Sequence, residues 1–202
     1  MSPPTRSRKP SRGSAPRAGK QVVLVVTGSV AAYKAAALAS DLTGCGCEVH
    51  TVLSEAATHF VRPLLFQSLT GRRAYSDMWE SERNCDVLHV SLAERADVVI
   101  VAPATASVIG RYANGIANDL ATCVLLATRS PVVLAPAMND GMWRHRAVQE
   151  NVRKLRKMGV AIVEPETGRL ACGRKGCGRL AAIEKIKEVA LRLLDKGGGR
   201  KT

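Results

Sequence analysis

Residues 21–44 read QVVLVVTGSVAAYKAAALASDLTG. After Gln21 the run is apolar without alternation, as in a strand covered on both faces. Thr27-Gly28-Ser29 ends it with turn residues. The Ala-rich stretch that follows has helical composition and stops at Gly44. A buried strand leading into a helix is half of a βαβ unit, and whether it repeats decides the fold.

The unit does repeat. EVHTVLS (48–54) predicts a second strand and EAATHFVRPLLFQSLTG (55–71) a helix interrupted by Pro63. A less regular stretch leads into DVLHVSLAERA (86–96). ADVVIVAPA (96–104) is a third strand, and TASVIGRYANGIANDLATCVLLATR (105–129) reads as a helix with two glycines. PVVLAPAM (131–138) is another strand, followed by a polar-faced helix over 140–159. VAIVEPE (160–166) is the last strand, and residues 181–197 a terminal helix. Strands apolar on both faces, alternating with helices, predict a doubly wound parallel α/β sheet in three layers. One such domain is expected over residues 21–195, and ligands should lie beyond the carboxyl ends of its strands.

The formal charge of +13 invites a nucleic-acid reading, but nine of those charges lie in residues 1–20 and 196–202, leaving +4 for the domain. The first 20 residues are rich in Pro, Ser, Gly and Arg and carry no acid, so they predict a disordered basic tail. A second flexible tail is expected over 196–202. Neither a nucleic acid nor a membrane is expected as a partner. The run after the basic start mimics a signal sequence, yet Thr27-Gly28-Ser29 and Lys34 break it below the ~18 apolar residues that a span needs. The Arg/Ser-rich start also resembles a transit peptide. Six cysteines in a chain with this much core read as reduced thiols, which suits a cytoplasmic protein. Cys172 and Cys177 have no second close pair, so no metal site is expected.

Strand ends carry the unusual residues. At the first, Gly28 allows close backbone approach of a ligand, and Ser29 offers a hydroxyl beside a helix N-terminus. This pattern lacks GxGxxG and suits a monophosphate such as that of FMN better than a dinucleotide; a plain N-cap by Ser29 is the alternative. Two further strands end in Ala-Pro-Ala, with Thr105 and Ser107 after one and Asn139 after the other. Small residues there leave room for a large flat ligand. Asn139 in PAMNDGMW reads either as a helix cap or as a ligand-holding amide. GRLACGRKGCGR (168–179) has four glycines, too many for a helix, and the composition of a lid that closes over a substrate.

These motifs, in this order over about residues 20–190, resemble the flavin-containing cysteine decarboxylases. The resemblance implies a flavodoxin-like fold, a homotrimer or a multiple of trimers with FMN at subunit boundaries, and catalysis by His89, Asn139 and Cys172. It implies a flavin contact at Gly28, Ser29 and Val30, another at Ser54, and others at Thr105, Ala106, Ser107, Val108 and Ala137. The substrate would be held by Asn139 with Arg169, Leu170 and Ala171. His59 reads as structural, and His50 and His145 as surface residues. One turn departs from the pattern: the usual Asn and Thr of that flavin contact are replaced by Ser107 and Val108.

The expected activity within that family is FMN-dependent decarboxylation of 4′-phosphopantothenoylcysteine to 4′-phosphopantetheine in coenzyme A biosynthesis. Residues 1–202 contain nothing that could be the synthetase of the preceding step, so a separate synthetase is expected upstream. Relatives that decarboxylate a C-terminal cysteine of a precursor peptide stop at the enethiol and typically lack the lid cysteine; Cys172 argues for the small-molecule substrate. A non-catalytic regulatory flavoprotein would tend to carry long acidic tails, whereas the tails here are short and basic.

Overall fold

The structure, a computed structural model, describes residues 19–79 and 87–196. The basic tail expected over 1–20 lies almost wholly outside the described residues, as do Cys85 and the tail beyond Lys196.

The chain opens with β1 (Gln21–Val26), a short 3-10 turn over Val30–Ala32 and α1 (Tyr33–Gly44). β2 (Glu48–Leu53) leads to the short α2 (Glu55–Thr58), then α3 (Pro63–Thr70) and β3 (Ala74–Tyr75). α4 (Leu88–Arg95) precedes β4 (Val98–Ala104), which α5 (Ala106–Ala113) and α6 (Leu120–Ala127) follow. Next come β5 (Val132–Pro136), α7 (Asp140–Arg144), α8 (Arg146–Lys157) and β6 (Ala161–Ile162). An antiparallel hairpin, β7 (Glu166–Arg169) and β8 (Lys175–Arg179), precedes the terminal α9 (Ile183–Lys196).

Six strands form one parallel sheet in the order β3-β2-β1-β4-β5-β6. Its apolar runs explain this arrangement: every residue of β4 and β5, and all but the first of β1, is buried. One face packs on α1, α3 and α9 through residues such as Leu24, Leu38, Phe66 and Ile186. The other packs on α4, α5, α6 and α8 through Val25, Leu92, Ile109, Leu125 and Leu155. This is the three-layer, doubly wound, flavodoxin-like fold that the sequence predicts.

Several helices break where local periodicity runs on. Pro63 starts α3 at its first turn, where a proline lacks no needed N–H, instead of kinking one long helix. Gly115, at φ +70°, ends the helix over 105–129 early, and Asp119 caps a new one. His145 divides 140–159 by capping α8, its Nδ1 accepting from the Ala147 N–H. The last sheet strand is only two residues long.

Two histidines correct the sequence reading. His50 is not a surface residue: it is 7% exposed on β2, with Nε2 3.0 Å from Gln21 Oε1. Gln21, on the neighbouring β1, in turn donates to Glu48, so its one amide links two side chains of β2. His59 is exposed and lies just past the four-residue α2, not within an amphipathic helix. His145 is exposed, as expected.

Candidate active site

The order of the sheet reverses between β1 and β4, so the turns leaving these neighbours diverge and leave a crevice. Thr27, buried at the end of β1, fixes that point. Its hydroxyl donates to the Pro103 carbonyl oxygen at 2.7 Å and accepts from the Thr105 N–H at 3.0 Å.

A cleft of about 650 Å³ opens beside this point, within the ~300–1,000 Å³ typical of small-molecule sites. Its walls come from three segments. The turn after β1 gives Ser29 and Val30, with Tyr33 and Lys34 of α1; the end of β5 gives Ala137, Met138 and Asn139; the hairpin gives Arg169 to Gly173 and Gly178 to Leu180. Three cations (Lys34, Arg169, Arg179) and no carboxylate line it.

Asn139 is the helix cap that the sequence allowed, and it also lines the cleft. It caps α7, its Oδ1 accepting from the Gly141 N–H at 2.9 Å. Because the oxygen is committed to the helix, the amide nitrogen must face away from it, as a donor. Nδ2 lies 3.7 Å from Cys172 Sγ. The cap thus sets which end of the amide faces the cleft.

Cys172 stands at the tip of the hairpin. The Gly173 N–H donates to the Leu170 carbonyl oxygen at 2.9 Å, closing a β-turn with Cys172 at its third position. Gly173, at φ +83°, supplies the left-handed residue that the turn needs. The base of the hairpin is pinned to the turn after β5: the Met138 N–H donates to the Gly178 carbonyl oxygen at 2.9 Å. A Cβ on Gly178 would fall 2.2 Å from the Met138 oxygen, and one on Gly176 2.8 Å from Asp140. These glycines therefore let β8 lie directly against the PAMN turn and α7. Cys177, on the same strand, turns inward, its Sγ 3.8 Å from the Pro165 oxygen.

The structure gathers Ser29, Val30, Ala137, Asn139, Arg169, Leu170, Ala171 and Cys172 of the predicted site into one cleft. Others stand apart. Gly28 is not among the cleft-lining residues, and the space of a Cβ there is filled by Ala56 at 2.4 Å, so the glycine lets the turn lie against α2. Ser54 is buried and caps α2. Thr105 caps α5 through the Val108 N–H, and the Val108 side chain packs in the core, so Val108 offers neither a hydroxyl nor a spare amide. Ala106 and the exposed Ser107 begin α5, outside the cleft walls. Ala102, Ala104 and Ala135 are buried in strands, leaving Ala137 as the one Ala-Pro-Ala residue that lines the cleft. His89 lies on the first turn of α4 and is also outside the cleft walls. Sequence reasoning missed Thr27, Lys34, Met138 and Arg179; the glycine alternation GCGR was the signal available for the last.

A profile for the family described as Flavoprotein matches residues 10–194. The chain belongs to the Flavoprotein family. It is 45% identical over 171 residues to the coenzyme A biosynthesis bifunctional protein CoaBC of Bacillus subtilis, covering 85% of this chain and 42% of that protein. It therefore spans less than half the length of such curated relatives. Among solved structures, a PPC decarboxylase variant complexed with pantothenoylaminoethenethiol superposes with a TM-score of 0.80 at 31% identity, covering 88% of this chain and 99% of that one. The FMN-dependent cysteine decarboxylase SpaF gives a TM-score of 0.77 at 33% identity, covering 88% and 98%. For this member of the Flavoprotein family, no helix among the described residues is long and apolar enough to cross a membrane.

Proposed function

We propose that this chain is an FMN-dependent carboxy-lyase that converts 4′-phosphopantothenoylcysteine to 4′-phosphopantetheine in coenzyme A biosynthesis. The observation that carries this reading is the meeting of Asn139 and Cys172 in one cleft, 3.7 Å apart. The likeness to CoaBC and to a PPC decarboxylase supports it.

The cleft fits a flavin. Its volume suits a ligand of that size, Val30, Ala137, Met138 and Leu180 offer apolar wall, and cations without carboxylates suit a phosphate. Ser29 and Val30 bring a helix start to the same wall. Bound FMN supplies reversible two-electron chemistry, which the reaction needs because direct CO₂ loss from cysteine would leave an unstabilised carbanion.

The residues of the chain bind, orient and move protons. Asn139 Nδ2–H donates to the substrate carboxylate, positioning it without a full opposite charge. A lysine there would stabilise the ground-state carboxylate and oppose the loss of CO₂. Once the thiol-bearing carbon is at the thioaldehyde level, the carboxylate lies β to a thiocarbonyl and leaves as CO₂, giving an enethiolate. Cys172, at the corner of the hairpin, donates the proton that accompanies reduction to the aminothiol. His89 accepts or orients the thiol proton. Its place on α4, outside the cleft walls, supports a homotrimer in which another copy would bring it to the cleft. A ligation that joins cysteine to 4′-phosphopantothenate must come first, and the reducing cytoplasm is the assigned compartment.

The test is the product mass after incubation of the FMN-loaded protein with 4′-phosphopantothenoylcysteine. Loss of CO₂ alone, giving 4′-phosphopantetheine, is expected. A product lacking two further hydrogens, or turnover only of peptides ending in cysteine, would overturn this reading in favour of a peptide decarboxylase.

A further inference from the structure

Two walls of the cleft belong to strands that are not neighbours. Ser29 and Val30 follow β1, and Ala137, Met138 and Asn139 follow β5, while β4 runs between those strands in the sheet. The turn after β4 stands outside the cleft walls, yet it joins the other two turns. The parallel pairing of β1 with β4 reaches its last residues at Val25 and Val101. Beyond them, Pro103 has no N–H to give across the gap. There the side chain of Thr27 continues the link. Its hydroxyl donates to the Pro103 carbonyl oxygen at 2.7 Å and accepts from the Thr105 N–H at 3.0 Å. Ala104, between those two residues, accepts from the Ala137 N–H at 3.1 Å, and the Met138 N–H donates to the Gly178 carbonyl oxygen at 2.9 Å. One line of hydrogen bonds thus runs from the end of β1, through the turns after β4 and β5, to the base of the hairpin that carries Cys172. Thr27 supplies the side-chain link in that line; the others are backbone to backbone. Thr27 is 1% exposed, so water cannot take the place of its hydroxyl.

Resting on the flavin-dependent reading above, we infer that Thr27 is a positioning residue: its hydroxyl sets the separation of the β1 turn from the PAMN turn, and so holds the cleft in the shape that receives FMN. Thr27 is not itself a wall of the cleft, so it acts through the turns that it joins. Valine has nearly the same shape and suits a strand end as well, but it offers no hydrogen bond. It would leave the Thr105 N–H and one lone pair of the Pro103 oxygen without this partner, and the β4 turn would shift to satisfy them. A cleft already in its binding shape receives a ligand without reorganisation, whereas a shifted one must first be drawn back, which weakens binding.

The test follows FMN release when the loaded protein is diluted, read from the fluorescence that free flavin regains. It also records the visible circular dichroism of the bound flavin, which reports the shape of the pocket around the ring, and a thermal melt. Thr27→Val should raise the Kd for FMN about 10-fold, the size expected when one buried donor loses its partner, and should alter the dichroism bands. Thr27→Ser keeps the hydroxyl and should restore the native bands and most of the affinity. Thr27→Cys, whose sulfur is a weaker partner, should fall between the two. Ser130→Ala is the control. It removes a hydroxyl that donates to the Ala96 carbonyl oxygen just before β4 and β5, at the opposite end of the sheet from the cleft. It should lower the melting temperature and leave both flavin readings native. Native affinity and native dichroism in Thr27→Val would overturn the proposal. So would an equal loss of flavin in Ser130→Ala, which would trace the effect to stability alone. If Thr27→Val does not fold, equal affinities in Thr27→Ser and Thr27→Cys would overturn it. A native chain that binds no FMN would overturn the functional reading instead.

Discussion

At the scale of single residues, Asn139 does two tasks with two ends of one amide. Its oxygen caps α7 and its nitrogen faces Cys172. Asn139→Asp separates them. Aspartate caps a helix about as well as asparagine, so the melting temperature should stay close to that of the native chain. It also sets a negative charge against the substrate carboxylate, and decarboxylation should fall by orders of magnitude with FMN retained. Steady-state kinetics beside a thermal melt checks both halves; a variant with near-native turnover would remove Asn139 from the chemistry. Cys172→Ser keeps the shape of the hairpin corner but is a much weaker acid. CO₂ should still be released, while the enethiol accumulates, two mass units below 4′-phosphopantetheine. Cys177→Ser, whose thiol turns inward, should give the normal product by the same mass measurement. The meeting of Asn139 and Cys172 was legible because short, specific motifs surround both residues. Lys34 and Arg179 were not, because a cation on a helix or strand looks the same in sequence whether solvent or a cleft receives it. His50 was misread for a related reason: its burial depends on Gln21 of the neighbouring strand, which no local pattern announces.

At the scale of elements, apolar strands were easy to read, because burial on both faces leaves no alternation to mistake. Helix ends were harder. The apolar stripe of α5 continues into α6, and only the backbone at Gly115 and the cap at Asp119 show the break. That cap has a pH signature. Burial pushes the Asp119 carboxyl up, but hydrogen bonds from the Thr122 hydroxyl and N–H and the adjacent Arg111 outweigh it, and its pKa lies below the usual aspartate value. A carboxyl depressed on folding contributes stability above its unfolded pKa of about 3.9, and this is lost as pH falls through the folded value. Thermal melts from pH 6 to pH 2 should therefore show a smaller acid loss in Asp119→Asn than in the native chain; identical acid limbs would contradict the assignment. The hairpin makes a second test. Gly178→Ala puts a Cβ 2.2 Å from the Met138 oxygen at a backbone φ of +145°, so β8 must lift from the PAMN turn. Trypsin should then cut at Arg169, Arg174 or Lys175 much faster than in the native chain, with the sheet domain still folded. Unchanged cleavage would show that the hairpin is held by something else.

At the scale of the whole molecule, the described chain gives a cleft that lacks His89 and a surface that exposes large apolar side chains. Phe60, Leu64 and Leu65 lie together around α2 and α3, and Val87 and Val90 flank His89. Both observations agree with the proposed homotrimer. Light scattering should give a mass at least three times the 21.5 kDa of one chain, and an active stable monomer would refute it. Assembly is the part of the site least legible from sequence, since the surfaces that meet obey no local period.

The contact between Met138 and Gly178 carries a consequence for how turnover can be timed. One amide proton, that of Met138, bridges the sheet domain and the base of the hairpin, whereas the tip is held by its own turn bonds at Leu170 and Gly173. In heavy water the Met138 amide should exchange slowly, and the tip amides quickly. The hairpin would then swing as a flap on a fixed hinge, and Met138 would act as a clock for its complete release. If product departure requires that release, conditions that quicken exchange at this one amide should raise turnover in step.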